Sequence, residues 1–474
     1  MTIPRPRGAA LAMVALVALG PVVAPDAAGA APGNPGAPRY SAGAASAGDP
    51  YFPDQGNGGY DVQHYDINFS YDPATRFIDA TATIIAIATQ DLNRFNLDFR
   101  GPEVSAVTVN GHAHDFIRDG QELIVTPRPK LKTGHTFTVV VRYAGVPGPI
   151  TDPDGSIEGW VPTDDGAFVV GEPQGTPAWL PTNDHPTDKA TFRFTAKVPA
   201  GLTAVGNGQI LSRDTRDGWT TFTWDSTEPM ATYLATITIG NFLVTESTTP
   251  SGIPVYVAID PRQVAGSSAA VAQIPKMIDF FSSKFGPYPF ASTGAIIDRA
   301  PDVGYALETQ TKPIFSSPAS VGTMAHELAH QWYGDSVSPR RWSDIWLNEG
   351  FATYAQWMYT EYNGGASVSQ TFNSSSNYGR APSSPFWQIV LADPGPEDMF
   401  SNIPYNRGAM TLHALRGKIG DGTFFRILRE WAASNRYSHA ATADFIALSE
   451  RESGQNLSTF FDTWLFQKGK PTTW

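Results

Sequence analysis

The chain has 474 residues, of which 41% are hydrophobic and 12% aromatic. This length predicts two or three domains, and the apolar content excludes a largely disordered protein. The formal net charge of -12 argues against a nucleic-acid partner, because phosphate binding needs a basic surface. The chain has no cysteines, so any metal ion must be held by histidines and carboxylates.

The N-terminus has the pattern of a secretory signal. Arg5 and Arg7 precede a continuous apolar run over residues 9–19, which is too short for the roughly 20 residues of a membrane span. Residues 1–30 are therefore predicted to be a signal peptide, and residues 31–50, rich in Gly, Ala and Pro, a flexible leader. We expect a secreted, extracellular protein that does not contact a membrane and acts as a monomer.

Residues 51–250 carry strand signals. Residues 81–87 and 137–141 are β-branched runs, and Asn110-Gly111 and Asp217-Gly218 are hairpin-type turns. The first half of the mature chain is therefore predicted to be an all-β domain.

Residues 251–474 change to helical periodicity, which predicts an α+β protein overall. A helix is expected over residues 267–285, interrupted by Pro275. Two stronger helices are expected over 320–333 and 343–359, with Ser320 and Ser343 as N-caps and Gly334 as the end of the first.

The first of these two helices carries the main chemical signal. Residues 326–330 read H-E-L-A-H, which places His326 and His330 one turn apart on the same helix face. Both imidazoles can then reach one zinc ion, while Glu327 is left to contact a water molecule on it. A catalytic zinc normally has three protein ligands and one open position.

Glu349 is the candidate for the third ligand. It lies nineteen residues after His330, on the helix expected over 343–359, within an apolar stripe that would pack this helix against the first. A carboxylate buried beside such a stripe needs a partner, and the zinc ion supplies one. The alternative is an ordinary surface glutamate near a helix start.

The segments 326–334 (H-E-L-A-H-Q-W-Y-G) and 342–354 (W-S-D-I-W-L-N-E-G-F-A-T-Y) resemble the aminopeptidase N family of zinc metallopeptidases, which are gluzincins. The resemblance runs from about Tyr60 to the C-terminus. It implies a saddle-like all-β domain followed by a thermolysin-like, mainly α-helical catalytic domain. The large C-terminal helical domain of most relatives is not expected here, which predicts a more open cleft and weaker restriction on peptide length.

The resemblance also implies two contacts for a substrate's free amine. Residues 305–309 (Y-A-L-E-T) occupy the place of the family's Gly-Ala-Met-Glu-Asn strand, so Glu308 is the expected amine contact. Tyr305 and Thr309 depart from that pattern. Residues 178–186 (A-W-L-P-T-N-D-H-P) resemble the family segment that ends in Asp-Glu-Pro, and counting back nine residues from Pro181 in this run reaches Glu172 as the second contact.

Tyr405, within the segment P-Y-N-R-G-A, resembles the family's tyrosine whose phenol donates a hydrogen bond to the tetrahedral oxyanion. The implied enzyme is a zinc aminopeptidase with one zinc ion and Glu327 as general base, acting on peptides with a free N-terminus. Two alternatives remain: a zinc endopeptidase, which would not need Glu308 and Glu172, and a catalytically silent relative that only binds peptides.

Overall fold

The computed structural model describes residues 40–473, so the expected signal peptide and residues 31–39 of the expected leader lie outside the described residues. Residues 40–50 differ from the flexible leader that their composition predicts. The backbone N–H groups of Ser41 and Gly43 donate to the carbonyls of Asp91 and Arg94, each at 2.9 Å. Asp49 is buried and accepts from a backbone N–H at 2.9 Å. These contacts offset the entropy cost of ordering the segment.

Residues 40–240 contain seventeen strands. In chain order they are β1 (Ser41–Ala42), β2 (Tyr60–Asp72), β3 (Phe77–Ala88), β4 (Leu92–Asp98), β5 (Glu103–Val109), β6 (His112–His114), β7 (Phe116–Asp119), β8 (Glu122–Val125), β9 (Thr136–Gly145), β10 (Pro149–Thr151), β11 (Ile157–Pro162), β12 (Ala167–Val170), β13 (Lys189–Pro199), β14 (Thr203–Gly206), β15 (Gln209–Arg216), β16 (Trp219–Ala231) and β17 (Ile237–Gly240).

These strands form three sheets. The largest has eight strands in the order β15-β16-β13-β2-β3-β9-β5-β6, and smaller sheets have the orders β1-β4-β8-β7 and β10-β11-β12-β17-β14. Along β2 and β3 buried residues alternate with more exposed ones, so the sheet buries one face, as the period-two pattern predicts. The two hairpin turns are confirmed: Asn110-Gly111 joins β5 to β6, Asp217-Gly218 joins β15 to β16, and all four residues have positive φ.

Residues 241–473 add seven strands. They are β18 (Leu243–Thr248), β19 (Pro254–Ile259), β20 (Thr293–Ile297), β21 (Ala306–Leu307), β22 (Ile314–Phe315), β23 (Val337–Pro339) and β24 (Ser438–Ala440). The sheet order β18-β19-β20-β22-β21 leaves β21 at an edge. All five residues of β20 are buried, because both faces of this strand are covered: Ile296 packs into one hydrophobic cluster, and Ala295 and Ile297 pack into another.

The described helices lie in the second half of the chain. They are α1 (Val264–Val271), α2 (Ile274–Phe285), α3 (Val321–His330), α4 (Trp346–Tyr362), α5 (Val368–Phe372), α6 (Gly408–Ile419), α7 (Asp421–Ser434), α8 (Thr442–Ser453) and α9 (Ser458–Phe461). No helix within residues 40–473 is long and apolar enough to cross a membrane.

Three helix boundaries differ from the sequence prediction. The helix expected over 267–285 is two helices, α1 and α2, and Pro275 lies in the first turn of α2, where its missing N–H costs nothing. Helix α3 has Ser320 as its N-cap, as predicted, but ends at His330. The carbonyls at its end accept hydrogen bonds from N–H groups five residues further along the chain, instead of four as in an α-helix. One example is the Asp335 N–H, which donates to the His330 carbonyl at 3.0 Å. Ser343 is not an N-cap, because a 3₁₀ turn over Trp342–Asp344 precedes α4.

Two hydrophobic clusters hold these elements together, one centred on the strands of the first half and one on the helices. Helices α3 and α4 pack against each other within the second cluster, whereas Tyr305 and Phe400 pack at the edge of the first. The site residues predicted from the sequence line a cleft where the two clusters meet.

Candidate active site

Helix α3 brings two imidazoles together. His326 and His330 are one turn apart, their ring centroids are 4.7 Å apart, and their Nε2 atoms lie 3.1 Å from each other. Met324, Ala325, Leu328 and Ala329 are buried and hold this helix in the core. Two histidine nitrogens that face each other so closely need an ion or proton between them.

Helix α4 adds a carboxylate to this pair. The Oε2 atom of Glu349 lies 3.1 Å from His326 Nε2 and 3.5 Å from His330 Nε2. Ligand atoms about 2.1 Å from a tetrahedral zinc ion are separated by about 3.4 Å, so the three observed distances fit such an ion. Although burial alone would raise it, the neighbouring histidines hold the pKa of Glu349 at about 2.

Contacts behind the ligands fix their orientation. The Nδ1 atom of His330 lies 3.0 Å from the backbone carbonyl of Tyr333, which accepts its proton and leaves Nε2 free to ligate. The side chain of Gln356 interacts with His326. Gln356 follows Glu349 by two turns of α4, and this spacing could have identified it from the sequence.

Glu327 is buried beside the first histidine and lines the cleft. Burial raises the pKa of its carboxyl well above the usual range, although the neighbouring His330 opposes the rise. A carboxyl group placed beside the candidate ligands in this way is a candidate general base.

Two further carboxylates converge from different parts of the chain. Glu308 directly follows edge strand β21, and Glu172 lies two residues after β12. One oxygen each of Glu172, Glu308 and Glu349 lies within 4.8 Å of the others. The Oε1 atoms of Glu172 and Glu308 are buried without a hydrogen-bond partner within residues 40–473. Burial, followed by the charge of Glu308, raises the pKa of Glu172 well above its usual range. Within residues 40–473 these two oxygens therefore have no hydrogen-bond donor, and His330 Nδ1 lies 3.8 Å from the Oε1 atom of Glu308.

Tyr405 packs against the first of the two histidines. Its ring stacks on His326 with a centroid distance of 5.6 Å and an interplanar angle of 12°. It belongs to a π-helical turn, Ile403–Arg407, that leads into α6. Buried Arg407 anchors this turn by donating to the backbone carbonyls of Trp464, Ile389 and Gln467 at 3.0, 2.9 and 2.7 Å. Burial raises the pKa of the Tyr405 phenol well above its usual range and keeps it protonated.

The predicted site residues all line one cleft with a volume of about 420 Å³. The structure thus brings together the two histidines and Glu349, with Glu327, Glu308, Glu172 and Tyr405 around them. Five lining residues carry carboxylates, and among the described residues that line the cleft there is no lysine or arginine. The donor set of two nitrogens and one oxygen, and the surplus of negative charge, both fit a divalent cation such as zinc.

Sequence reasoning missed several residues at this site. Asp154 lies on the cleft rim and Phe400 in its wall, both in loops whose sequence carries no periodic signal. The phenol of Tyr305 donates to the Ile157 carbonyl at 2.9 Å, which ties the β21 segment to the first half of the chain. Asp335 is buried with both carboxylate oxygens lacking a hydrogen-bond partner within residues 40–473, and its backbone N–H donates to the His330 carbonyl at 3.0 Å.

Two family profiles match the chain. Residues 61–234 match the peptidase M1 N-terminal domain, and residues 303–464 match the peptidase family M1 domain. The chain is also 30% identical over 321 residues to aminopeptidase M1 of Arabidopsis thaliana, covering 63% of this chain and 36% of that enzyme. It is 30% identical over 323 residues to the thyrotropin-releasing hormone-degrading ectoenzyme of Homo sapiens, covering 62% of this chain and 30% of that protein. The chain thus spans about a third of the length of these relatives.

Solved structures match over nearly their whole length. A crystal structure of an M1 zinc metallopeptidase from Deinococcus radiodurans aligns with a TM-score of 0.83 at 29% identity, covering 90% of this chain and 98% of that chain. A mutant of a two-domain M1 zinc metallopeptidase bound to L-arginine aligns with a TM-score of 0.84 at 30% identity, covering 90% and 99%.

Proposed function

The chain belongs to the M1 family of zinc metallopeptidases, and on that premise we propose that it is a zinc-dependent aminopeptidase, which hydrolyses the first peptide bond of peptides. The observation that carries this proposal is the pair Glu172 and Glu308. One oxygen of each lies within 4.8 Å of a Glu349 oxygen, next to the candidate metal ligands, and the Oε1 atom of each is buried without a hydrogen-bond donor within residues 40–473.

Three side chains would hold the zinc ion: His326, His330 and Glu349. When bound, zinc acts as a Lewis acid that polarises the scissile carbonyl and activates a water molecule for attack. Three protein ligands leave one coordination position open, as in catalytic rather than structural zinc sites.

Glu327 would act as the general base. It lines the cleft directly beside His326, and its raised pKa suits a group that takes a proton from the attacking water and returns it to the leaving amine. The apolar core behind α3 keeps bulk water from the back of this carboxyl group.

Tyr405 would stabilise the negative charge that develops on the carbonyl oxygen. Its phenol is held protonated by burial, and its ring is fixed against His326, so the hydroxyl is positioned before the reaction starts. A donor that is oriented in advance toward developing charge stabilises the transition state more than the ground state.

Glu172 and Glu308 would bind the substrate's α-ammonium group. Two buried carboxylates that lack partners accept charge-assisted hydrogen bonds from an ammonium, and each such bond contributes about 1.5–3 kcal/mol. With the amine fixed there, only the first carbonyl of the peptide reaches the metal ligands. An endopeptidase has no use for such a pair.

The ligands of solved relatives support peptides as the substrate class. Matching structures contain L-arginine, L-tryptophan or the substrate Tyr-Ser-Ala. These compounds carry a free α-amino group.

The test compares matched peptides with a free and an acetylated N-terminus, with and without a zinc chelator. We expect hydrolysis of the free peptide alone and its loss with chelation. Glu172→Gln and Glu308→Gln should each raise KM for the free peptide by roughly tenfold or more. Cleavage of acetylated peptide would instead identify an endopeptidase, and zinc-loaded protein that hydrolyses neither would identify a silent peptide-binding protein.

We also propose that the protein is exported and acts as a monomer, with residues 1–30 as a signal peptide, residues 51–250 as the first domain and residues 251–474 as the catalytic domain. The charged, apolar and small-residue pattern at the N-terminus supports export. Mass spectrometry of the N-terminus of secreted protein, together with its mass in solution, tests both points. A mature form that retains residue 1, or a dimer, would contradict them.

A further inference from the structure

The rim of the cleft contains a short hairpin loop between β10 and β11. In this loop Asp154 is exposed and lines the cleft together with Ser156. The Oδ1 atom of Asp154 accepts hydrogen bonds from the Ser156 N–H at 2.8 Å and the Ser156 hydroxyl at 2.6 Å. The carboxylate is therefore oriented by its own loop.

Two contacts hold this loop in place. The Tyr305 phenol donates to the carbonyl of Ile157 at 2.9 Å, where the loop enters β11. On the other side, the Gln174 amide donates to Asp152 Oδ1 at 2.6 Å. Asp154 thus stands on a loop that is fixed both to the catalytic half and to the segment that carries Glu172.

Asp154 is also the one carboxylate among the described lining residues to which the proposed mechanism gives no role. Glu349 would be a ligand, Glu327 the base, and Glu172 and Glu308 the amine contacts. No lysine or arginine among the described lining residues neutralises Asp154.

Tyr305 connects Asp154 to the amine end of the cleft. Tyr305 lines the cleft together with Asp154 and Glu172, and its phenol donates to the Ile157 carbonyl at the end of the loop that carries Asp154. The side chain of a substrate's first residue leaves from the carbon that bears the amine, and Asp154, Tyr305 and Phe400 line the same cleft as the two proposed amine contacts.

We propose that Asp154 is a specificity-determining residue that favours substrates whose first residue is arginine or lysine. The inference rests on the proposed aminopeptidase function and adds a side-chain preference to it. The cationic head would pair with Asp154 at the rim. The aliphatic stem would lie along the rings of Tyr305 and Phe400, both half-buried in the cleft wall.

The test measures kcat/KM for aminoacyl amides of arginine, of citrulline, its uncharged isostere, and of leucine. The variant is Asp154→Asn, which keeps the acceptor for Ser156 and removes the charge. Asp115→Asn is the matched control, since Asp115 is exposed between β6 and β7, does not line the cleft and changes net charge equally.

We expect wild-type protein and D115N to prefer arginine over citrulline by roughly fivefold, as for an exposed ion pair, and D154N to lose this preference. Rates with citrulline and leucine should be unchanged in D154N. The inference would be overturned if the wild type hydrolysed the arginine and citrulline amides equally, or if the preference for arginine survived in D154N. In either case, hydrolysis of the leucine amide would still uphold the proposed function. Failure to hydrolyse any of the three amides would instead overturn the proposed function itself.

Discussion

Gly350 of α4 and Gly408 of α6 touch backbone to backbone: a Cβ atom on Gly408 would lie 2.7 Å from the Cα of Gly350. Glu349 precedes the first glycine, and the turn that carries Tyr405 precedes the second. The absence of both side chains thus allows the helix with the third candidate ligand to approach the turn with the candidate oxyanion donor.

Gly408→Ala should therefore destabilise the protein, because the added methyl group meets backbone that cannot move aside. We expect a loss of about 1–3 kcal/mol in the free energy of unfolding, measured by denaturant titration, and a lower kcat as Tyr405 shifts. Gly417→Ala in the same helix is the control. A Cβ atom there meets nothing within 4 Å, so this change should stabilise by about 0.5–1 kcal/mol. Equal stability of the two variants would contradict close contact between these helices.

Glu327→Gln should abolish turnover while leaving the fold and the zinc content intact. The amide fills the same space but cannot take a proton, which typically costs roughly 10²–10⁴-fold in kcat. The measurements are kcat on an aminoacyl amide and zinc per protein by metal analysis. Full activity in this variant would remove Glu327 from the role of base.

Tyr405→Phe should lower kcat by roughly 10²–10³-fold and change KM little, because the phenol is proposed to act on charge that exists only in the transition state. The stacked ring on His326 remains in phenylalanine, so zinc content and thermal stability should stay as in the wild type. A rise in KM at unchanged kcat would instead place Tyr405 in substrate binding.

The zinc ion should stabilise the fold through its three ligands. A ligand present at 100 times its dissociation constant adds about 2.7 kcal/mol, so chelation should lower Tm and added zinc should restore it. Glu349→Gln should largely abolish this zinc-dependent shift, whereas Glu327→Gln, the same chemical change beside the site, should keep it. Identical shifts in the two variants would show that Glu349 is not a ligand.

Much of this site could be predicted from local spacing, and the rest depends on tertiary contacts. His326 and His330 follow from helix geometry alone, because residues four apart share a face. Glu349 required an argument about burial, and Glu172 and Glu308 required the family resemblance, since nothing in their own segments brings β12 and β21 together. Asp154 could not be predicted, because its place on the rim is set by Tyr305 and Gln174, which are distant in sequence. The end of α3 at His330 was missed for a similar reason, because the turn after it supplies the N–H groups, such as that of Asp335, that bond to the last carbonyls of the helix.

Lys312 gives a prediction for stability that does not involve the cleft. Its side chain is fully buried, donates to the Gly208 carbonyl and lies 4.6 Å from the Trp224 ring centroid. Burial lowers the pKa of this lysine from 10.5 to about 7. The unfolded chain therefore binds more protons between about pH 7 and 10.5, and in this window the contribution of Lys312 to stability rises with pH.

Lys312→Met should remove this dependence. At pH 6 the variant should be more stable than the wild type, because methionine places no charge in the core, and its advantage should shrink as pH rises from 7 toward 10. Free energies of unfolding at pH 6, 8 and 9.5 give the comparison. Lys132→Met, at an exposed lysine, should follow the wild type at every pH. The contrary outcome is that the free energies of unfolding of the wild type and Lys312→Met differ by the same amount at every pH. That result would mean that Lys312 has the same pKa in the folded and unfolded chain, as a lysine in contact with water does.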